Sequence, residues 1–188
     1  MIVLVYGYEG SGEGHWQRLL ERELAGRGAP HVFPELSSPL EPDKDRWVAE
    51  LAACVDAAGD EPVTFVAHSL GCWAVDHFLA AHGASRVRAA LLVAPPSPYL
   101  LFEAVQSFLP PPMATDAWAP IASRSLLVGS DDDDYASPAE HAEIAAALGL
   151  RYEPVSGAGH LNTASGYGPW ARPLDWLTEV GARTTPRR

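Results

Sequence analysis

Pro62-Val63-Thr64-Phe65-Val66-Ala67-His68-Ser69-Leu70-Gly71-Cys72-Trp73-Ala74-Val75-Asp76-His77-Phe78-Leu79-Ala80-Ala81 is the stretch on which the fold turns. Pro62–Ala67 is a short run carried by Val63, Phe65 and Val66, the pattern of a buried strand. Gly71–Ala81 runs on long enough to read as a helix placed directly behind it. Ala67-His68-Ser69-Leu70-Gly71 therefore stands between a strand and a helix. A serine there sits on a tight, strained turn that lifts its hydroxyl above the sheet edge. Small residues two before and two after it let strand and helix approach closely. The N–H of Leu70, at the helix start, points towards the place where a negative oxygen would develop. The plain alternative is that Ser69 only caps the helix.

Working outward, short β-type runs alternate with longer helical ones. Strands are expected at Ile2–Tyr6, His31–Phe33, Pro62–Ala67, Val87–Ala94, Leu126–Val128 and Arg151–Val155. Helices are expected at Trp16–Gly26, Asp45–Ala58, Gly71–Ala81, Ala139–Leu148 and Pro173–Val180. This alternation implies βαβ units, hence a three-layer α/β/α sandwich with a mostly parallel central sheet. The expected organisation is a single domain over residues 1–182, with a disordered tail at 183–188. In such sheets the working residues lie in loops at the carboxyl ends of the strands.

A serine hydroxyl is unreactive until a base takes its proton, and in this order of elements the acid and then the histidine follow the serine. His160, in Ser156-Gly157-Ala158-Gly159-His160, comes directly after the last expected strand, and two glycines before it permit a close approach. His15, His77, His82 and His141 fall in or beside helices and read as surface or packing residues. His68 adjoins the serine, but its ring is expected to point away. The acid is expected after Leu126-Leu127-Val128, within Asp131-Asp132-Asp133-Asp134. That run also reads as a solvated acidic turn or as a divalent-cation site. It lacks a glycine-spaced calcium-loop pattern, and no metal site is assigned. The loop Tyr6-Gly7-Tyr8-Glu9-Gly10-Ser11-Gly12 supplies the second expected donor to a developing oxyanion, the N–H of Tyr8 beside that of Leu70. It does not lead through G-x-G-x-x-G into a helix and has no nearby lysine, so a nucleotide site is discounted.

The stretch Ala94–Ser125 is irregular and proline-rich, with an apolar centre at Tyr99–Leu109. It reads equally as a wall or short lid over the site and as a core-packing helix. Taken as wall, Tyr99, Leu100, Phe102, Val105 and Phe108 line a substrate pocket, with Tyr167 and Trp170 near His160. The chain of 188 residues has a formal net charge of −11. That field repels nucleic acid and anionic membranes, and neither is an expected partner. No stretch approaches the roughly 18 apolar residues of a membrane helix, and the start of the sequence carries no signal-peptide pattern. Cys54 and Cys72 stand apart without a C-x-x-C pair, as buried apolar residues do in a reducing cytoplasm. A cytoplasmic location is the resulting expectation.

Taken together these stretches resemble the α/β-hydrolase superfamily, and within it the small serine hydrolases that include retinoblastoma-binding protein nine and its bacterial relatives. The resemblance is carried by the first strand with Gly7, by His15-Trp16 and by His68-Ser69-Leu70-Gly71-Cys72. It continues through the Ser130–Tyr135 acidic turn, Gly159-His160-Leu161-Asn162 and Ser165-Gly166-Tyr167-Gly168-Pro169-Trp170. Two departures stand out: Ala67 occupies the usual glycine position, and Asp134 stands where the family often has proline. The resemblance implies an α/β-hydrolase fold and a cofactor-free hydrolase of esters, with amides as the second option; because the chain leaves only Ala94–Ser125 for a minimal lid, small acyl esters are the expected substrates. The resemblance also implies a Ser69-Asp133-His160 triad, because the family places its acid immediately before a residue that precedes an aromatic, as in Asp133-Asp134-Tyr135. Asp132 then becomes a turn residue. Two other functions fit the same chain: a catalytically silent binding protein on this fold, and a metal-dependent hydrolase using Asp131–Asp134. No protein partner is indicated.

Overall fold

The computed structural model describes residues 1–186. Six strands form one sheet: β1 (Ile2–Val5), β2 (His31–Val32), β3 (Val63–His68), β4 (Val87–Val93), β5 (Leu126–Ser130) and β6 (Arg151–Val155). Their order is β2-β1-β3-β4-β5-β6, and every neighbouring pair is parallel. β1, β3 and β4 are apolar and almost wholly buried, as strands covered on both faces must be.

Six helices connect or follow them: α1 (Trp16–Gly26), α2 (Lys44–Ala57), α3 (Leu70–His82), the short α4 (Thr115–Trp118), α5 (Pro138–Leu148) and α6 (Arg172–Glu179). The path from β1 to β2 steps one way across the sheet; those from β2, β3, β4 and β5 step the other way. Right-handed crossovers therefore put α1 on one face and α2, α3 and α5 on the opposite face. α2 packs on α3, α3 on α4 and α4 on α5. Trp170, just before α6, meets Trp16 of α1 edge-on at 5.3 Å, which brings the chain entering α6 to the α1 side. Because the path reverses between β1 and β3, the loops leaving those two strands diverge and open a crevice at the switch point.

Local chemistry explains the helix ends. Ser137 and Glu140 form a reciprocal capping box with Pro138 at the first turn of α5, and Gly149 closes that helix at φ 68°. The longest irregular segment, residues 94–125, forms neither of the alternatives read from sequence in full. It holds a six-residue 3₁₀ helix (Glu103–Phe108) and α4, with Val105, Phe108 and Trp118 buried as plugs. Asp76 of α3, itself fully buried, ties the segment down. Its carboxylate accepts from Trp118 Nε1 at 2.7 Å, Met113 N at 2.8 Å and Ala114 N at 3.4 Å. Burial raises the Asp76 pKa, while these three donors oppose that rise.

Of the expected tail, Arg183 donates to Glu61 at 2.6 Å, while Arg187 and Arg188 lie outside the described residues. Among the described residues no helix is long and apolar enough to cross a membrane.

Candidate active site

Ser69 follows β3 directly, with φ 54° and ψ −128°, a left-handed conformation that costs a serine roughly 1–3 kcal/mol. The surrounding backbone holds it there. Its N–H donates to Val93 O at 2.9 Å, and its carbonyl accepts from Cys72 N at 2.9 Å. Two glycines permit the turn. A Cβ on Gly71 would lie 2.5 Å from the carbonyl oxygens of Val5 and Tyr6; one on Gly7 would lie 2.7 Å from Ser69 Cβ. Ala67, where glycine is usual, fits as a fully buried strand residue. The Ser69 side chain makes no helix-capping bond, so the capping alternative is not realised.

The Ser69 hydroxyl lies 2.8 Å from His160 Nε2. On the other side of that ring, His160 Nδ1 meets the two oxygens of Asp133 at 3.0 and 2.9 Å. The Asp133 side chain has no solvent exposure, and its Oδ1 also accepts from Tyr135 N at 2.9 Å. The neighbouring acids point elsewhere. Asp132 accepts from Ser130 Oγ at 2.5 Å and Gly159 N at 2.6 Å; Asp131 accepts from Ser156 Oγ and Gly157 N. Those donors hold both carboxyls below their ordinary pKa. Asp131 and Asp132 thus fasten the loop that carries His160, a role that sequence reasoning did not give them. Among the described residues no group of three His, Cys, Asp or Glu side chains is placed to hold a metal ion.

A cavity of about 470 Å³ opens above Ser69, in the ordinary range for small-ligand sites. Among the described residues Leu70 N–H, at the first position of α3, has no acceptor. Among the described residues Tyr8 N–H has no acceptor either. Phe102 joins Leu100 and Val105 on the cavity wall and packs edge-on against the Tyr8 ring at 5.0 Å. The other expected pocket residues lie elsewhere. Tyr99 turns outward at 78% exposed, in a turn where its N–H donates to Ser97 Oγ at 3.1 Å. Tyr167 packs against Trp170, which packs on Trp16, so both belong to the layer beside α1. Phe108 is a fully buried plug.

Three residues to which sequence reading gave no role enter the site. Tyr135 lays its ring 4.5 Å from that of His160. His68 lines the cavity, with its Nε2 donating to the His160 carbonyl at 2.9 Å. His15 follows at 4.8 Å from His68, making a row of three imidazoles with His160, itself 5.0 Å from His68. Burial pushes the His68 pKa well below the ordinary histidine value and that of His15 down to about 4, with His160 adding to both shifts. A histidine directly before a helix start was the available signal for His15 as a cap.

Comparison with known proteins places the chain in a family. The model of the serine hydrolase family matches residues 2–179. The hydrolase YdeN of Bacillus subtilis is 31% identical over 78 residues, a stretch that spans 42% of this chain and 40% of that protein. The crystal structure of a YdeN-like hydrolase from Pectobacterium atrosepticum superposes with a TM-score of 0.76 at 26% identity, covering 99% of this chain and 92% of that one. The ydeN gene product of B. subtilis shares the fold at a TM-score of 0.82 and 22% identity, covering 97% and 98%. The chain is a hydrolase on the α/β-hydrolase fold, and it belongs to the serine hydrolase family.

Proposed function

We propose that the protein hydrolyses small acyl esters through Ser69, His160 and Asp133, with amides as secondary substrates. The observation that carries this reading is the unbroken hydrogen-bonded line from Ser69 Oγ through the His160 ring to the buried Asp133 carboxylate. His160 Nε2 takes the serine proton as Oγ attacks the acyl carbon. Asp133 accepts from Nδ1–H, holding the ring in the productive tautomer and stabilising the imidazolium that forms. Tyr8 and Leu70 N–H groups take the oxyanion. His160 then returns the proton to the departing alcohol oxygen, leaving an acyl-Ser69 ester. Water, deprotonated by His160, cleaves that ester and regenerates the serine. The short wall of Leu100, Phe102 and Val105 supports a preference for short acyl groups.

A fluorophosphonate probe should label Ser69, and Ser69→Ala should lose both labelling and ester hydrolysis while keeping its melting temperature. Acetyl and butyryl esters should turn over faster than long-chain ones, with or without EDTA. Labelling of a different serine, or activity abolished by chelation and restored by a divalent ion, contradicts the reading.

A further inference from the structure

The cavity has two unlike sides. Leu100, Phe102 and Val105 make one of them apolar; His15 and Asn162 stand on the other, by the His160 loop. His160 must protonate the departing oxygen, so the alcohol part of an ester leaves on this second side.

Of the polar side chains there, His15 and Asn162 have their acceptor atoms already engaged. His15 Nδ1 accepts from Gln17 N at 3.2 Å as the cap of α1, which fixes the ring proton on Nε2. Asn162 Oδ1 accepts from Ser165 N and Ser165 Oγ, each at 3.0 Å, which leaves its NH₂. Neither His15 Nε2–H nor the Asn162 NH₂ donates to a described residue. Two donors without acceptors therefore border the space where the leaving group must lie. Both donors open onto the cavity, and once a substrate displaces water there they discriminate against partners that leave them unpaired.

We propose that His15 and Asn162 form a donor pair selecting esters whose alcohol part carries a neutral hydrogen-bond acceptor close to the ester oxygen. This rests on the Ser69 reading above. The acceptor is neutral because Glu9 also lines the cavity and disfavours an anion there. Burial keeps the His15 ring uncharged at neutral pH, so it binds as a dipole and attracts no carboxylate.

The test compares 2-methoxyethyl butyrate with n-butyl butyrate, which differ by an ether oxygen in place of a methylene. Each kcat/KM is divided by the ester's own hydroxide-catalysed rate, removing the difference in leaving-group reactivity. The wild-type enzyme should prefer the ether by roughly fivefold, the size of one neutral hydrogen bond. His15→Asn retains a capping oxygen but loses the Nε2 donor, and its ratio should fall to about one with Tm maintained. His15→Gln places an amide N–H near the Nε2 position but gives up the cap; it should keep the preference while Tm falls. Asn162→Asp keeps the Oδ1 acceptor and loses the NH₂, and should also lower the ratio. The proposal is overturned if wild type shows no ether preference, or if His15→Asn and Asn162→Asp both retain it. It is also overturned if the Asn variant loses Tm while the Gln variant does not, because His15 would then act as a cap alone. A wild-type protein that takes no fluorophosphonate on Ser69 fails the hydrolase reading instead.

Discussion

The serine turn and the wall opposite it border the same cavity but are held by different physics. Ser69 is fixed by neighbouring backbone: Val93 O, Cys72 N, and the carbonyls of Val5 and Tyr6 that only Gly71 can approach. Its strained φ persists because parallel strands on either side leave no room for another conformation. The wall formed by residues 94–125 has little regular structure. It rests on buried plugs and on one buried carboxylate, Asp76, reaching across from α3. On the proposed reading, the reacting atoms sit on the strand-anchored part and substrate shape is set by the less regular part.

The sharpest test of that division lies in the acidic turn, where adjacent aspartates do different jobs. Asp133→Asn leaves the fold but removes the charge that orients and stabilises His160. It should lower kcat by about 10⁴-fold, the loss the same substitution brings in the serine-protease triad. Asp132→Asn keeps an oxygen for Ser130 Oγ and Gly159 N–H, and should stay within about tenfold of wild type. A reversed order in steady-state assays would shift the assignment by one residue.

Asp76→Ala should act on the wall and not on the chemistry. It strands the buried Trp118 donor and leaves the half-buried Met113 and Ala114 N–H groups without their acceptor, at about 3 kcal/mol in total, or roughly 10 °C in Tm. A thermal melt reads the loss. Labelling of Ser69 by a small fluorophosphonate below the new Tm should be little affected; abolished labelling would show that wall and turn are one unit.

A smaller effect separates the imidazole row from both regions. His15 and His68 bind protons more weakly folded than unfolded, so below the unfolded value of about 6.5 the unfolded state takes up more protons. Stability is therefore fully present above pH 6.5 and is lost as pH falls towards about 4, where His15 titrates in the folded protein. His15 should contribute about 2 kcal/mol of that loss by pH 5. Melting curves between pH 7.5 and pH 5 should show the decline, and His15→Asn should show less of it. Equal acid sensitivity in the variant would remove His15 from the account.

Much of this was legible from residue order. Short β-type runs alternating with helical ones read as strands of a mostly parallel sheet, and Ser69, the acidic run and His160 each follow one of them. The row of histidines was not legible in the same way. His15 and Asn162 lie far apart in sequence, and each looks like a common helix-start or loop residue. Tyr99 and Trp170 misled for the converse reason: an aromatic beside a site in sequence has no obligation to face it.

The sequence by itself determined the sheet, its parallel order of elements and the three loops that carry Ser69, Asp133 and His160, because periodicity and turn chemistry are local properties of the chain. Only the tertiary structure decided which side chains border the cavity. That choice depends on where the irregular segment 94–125 comes to rest, on the buried Asp76 that anchors it, and on the row of tilted imidazoles that joins His15 and His68 to His160. These are contacts between residues tens of positions apart, and their energies exist only once the chain has folded.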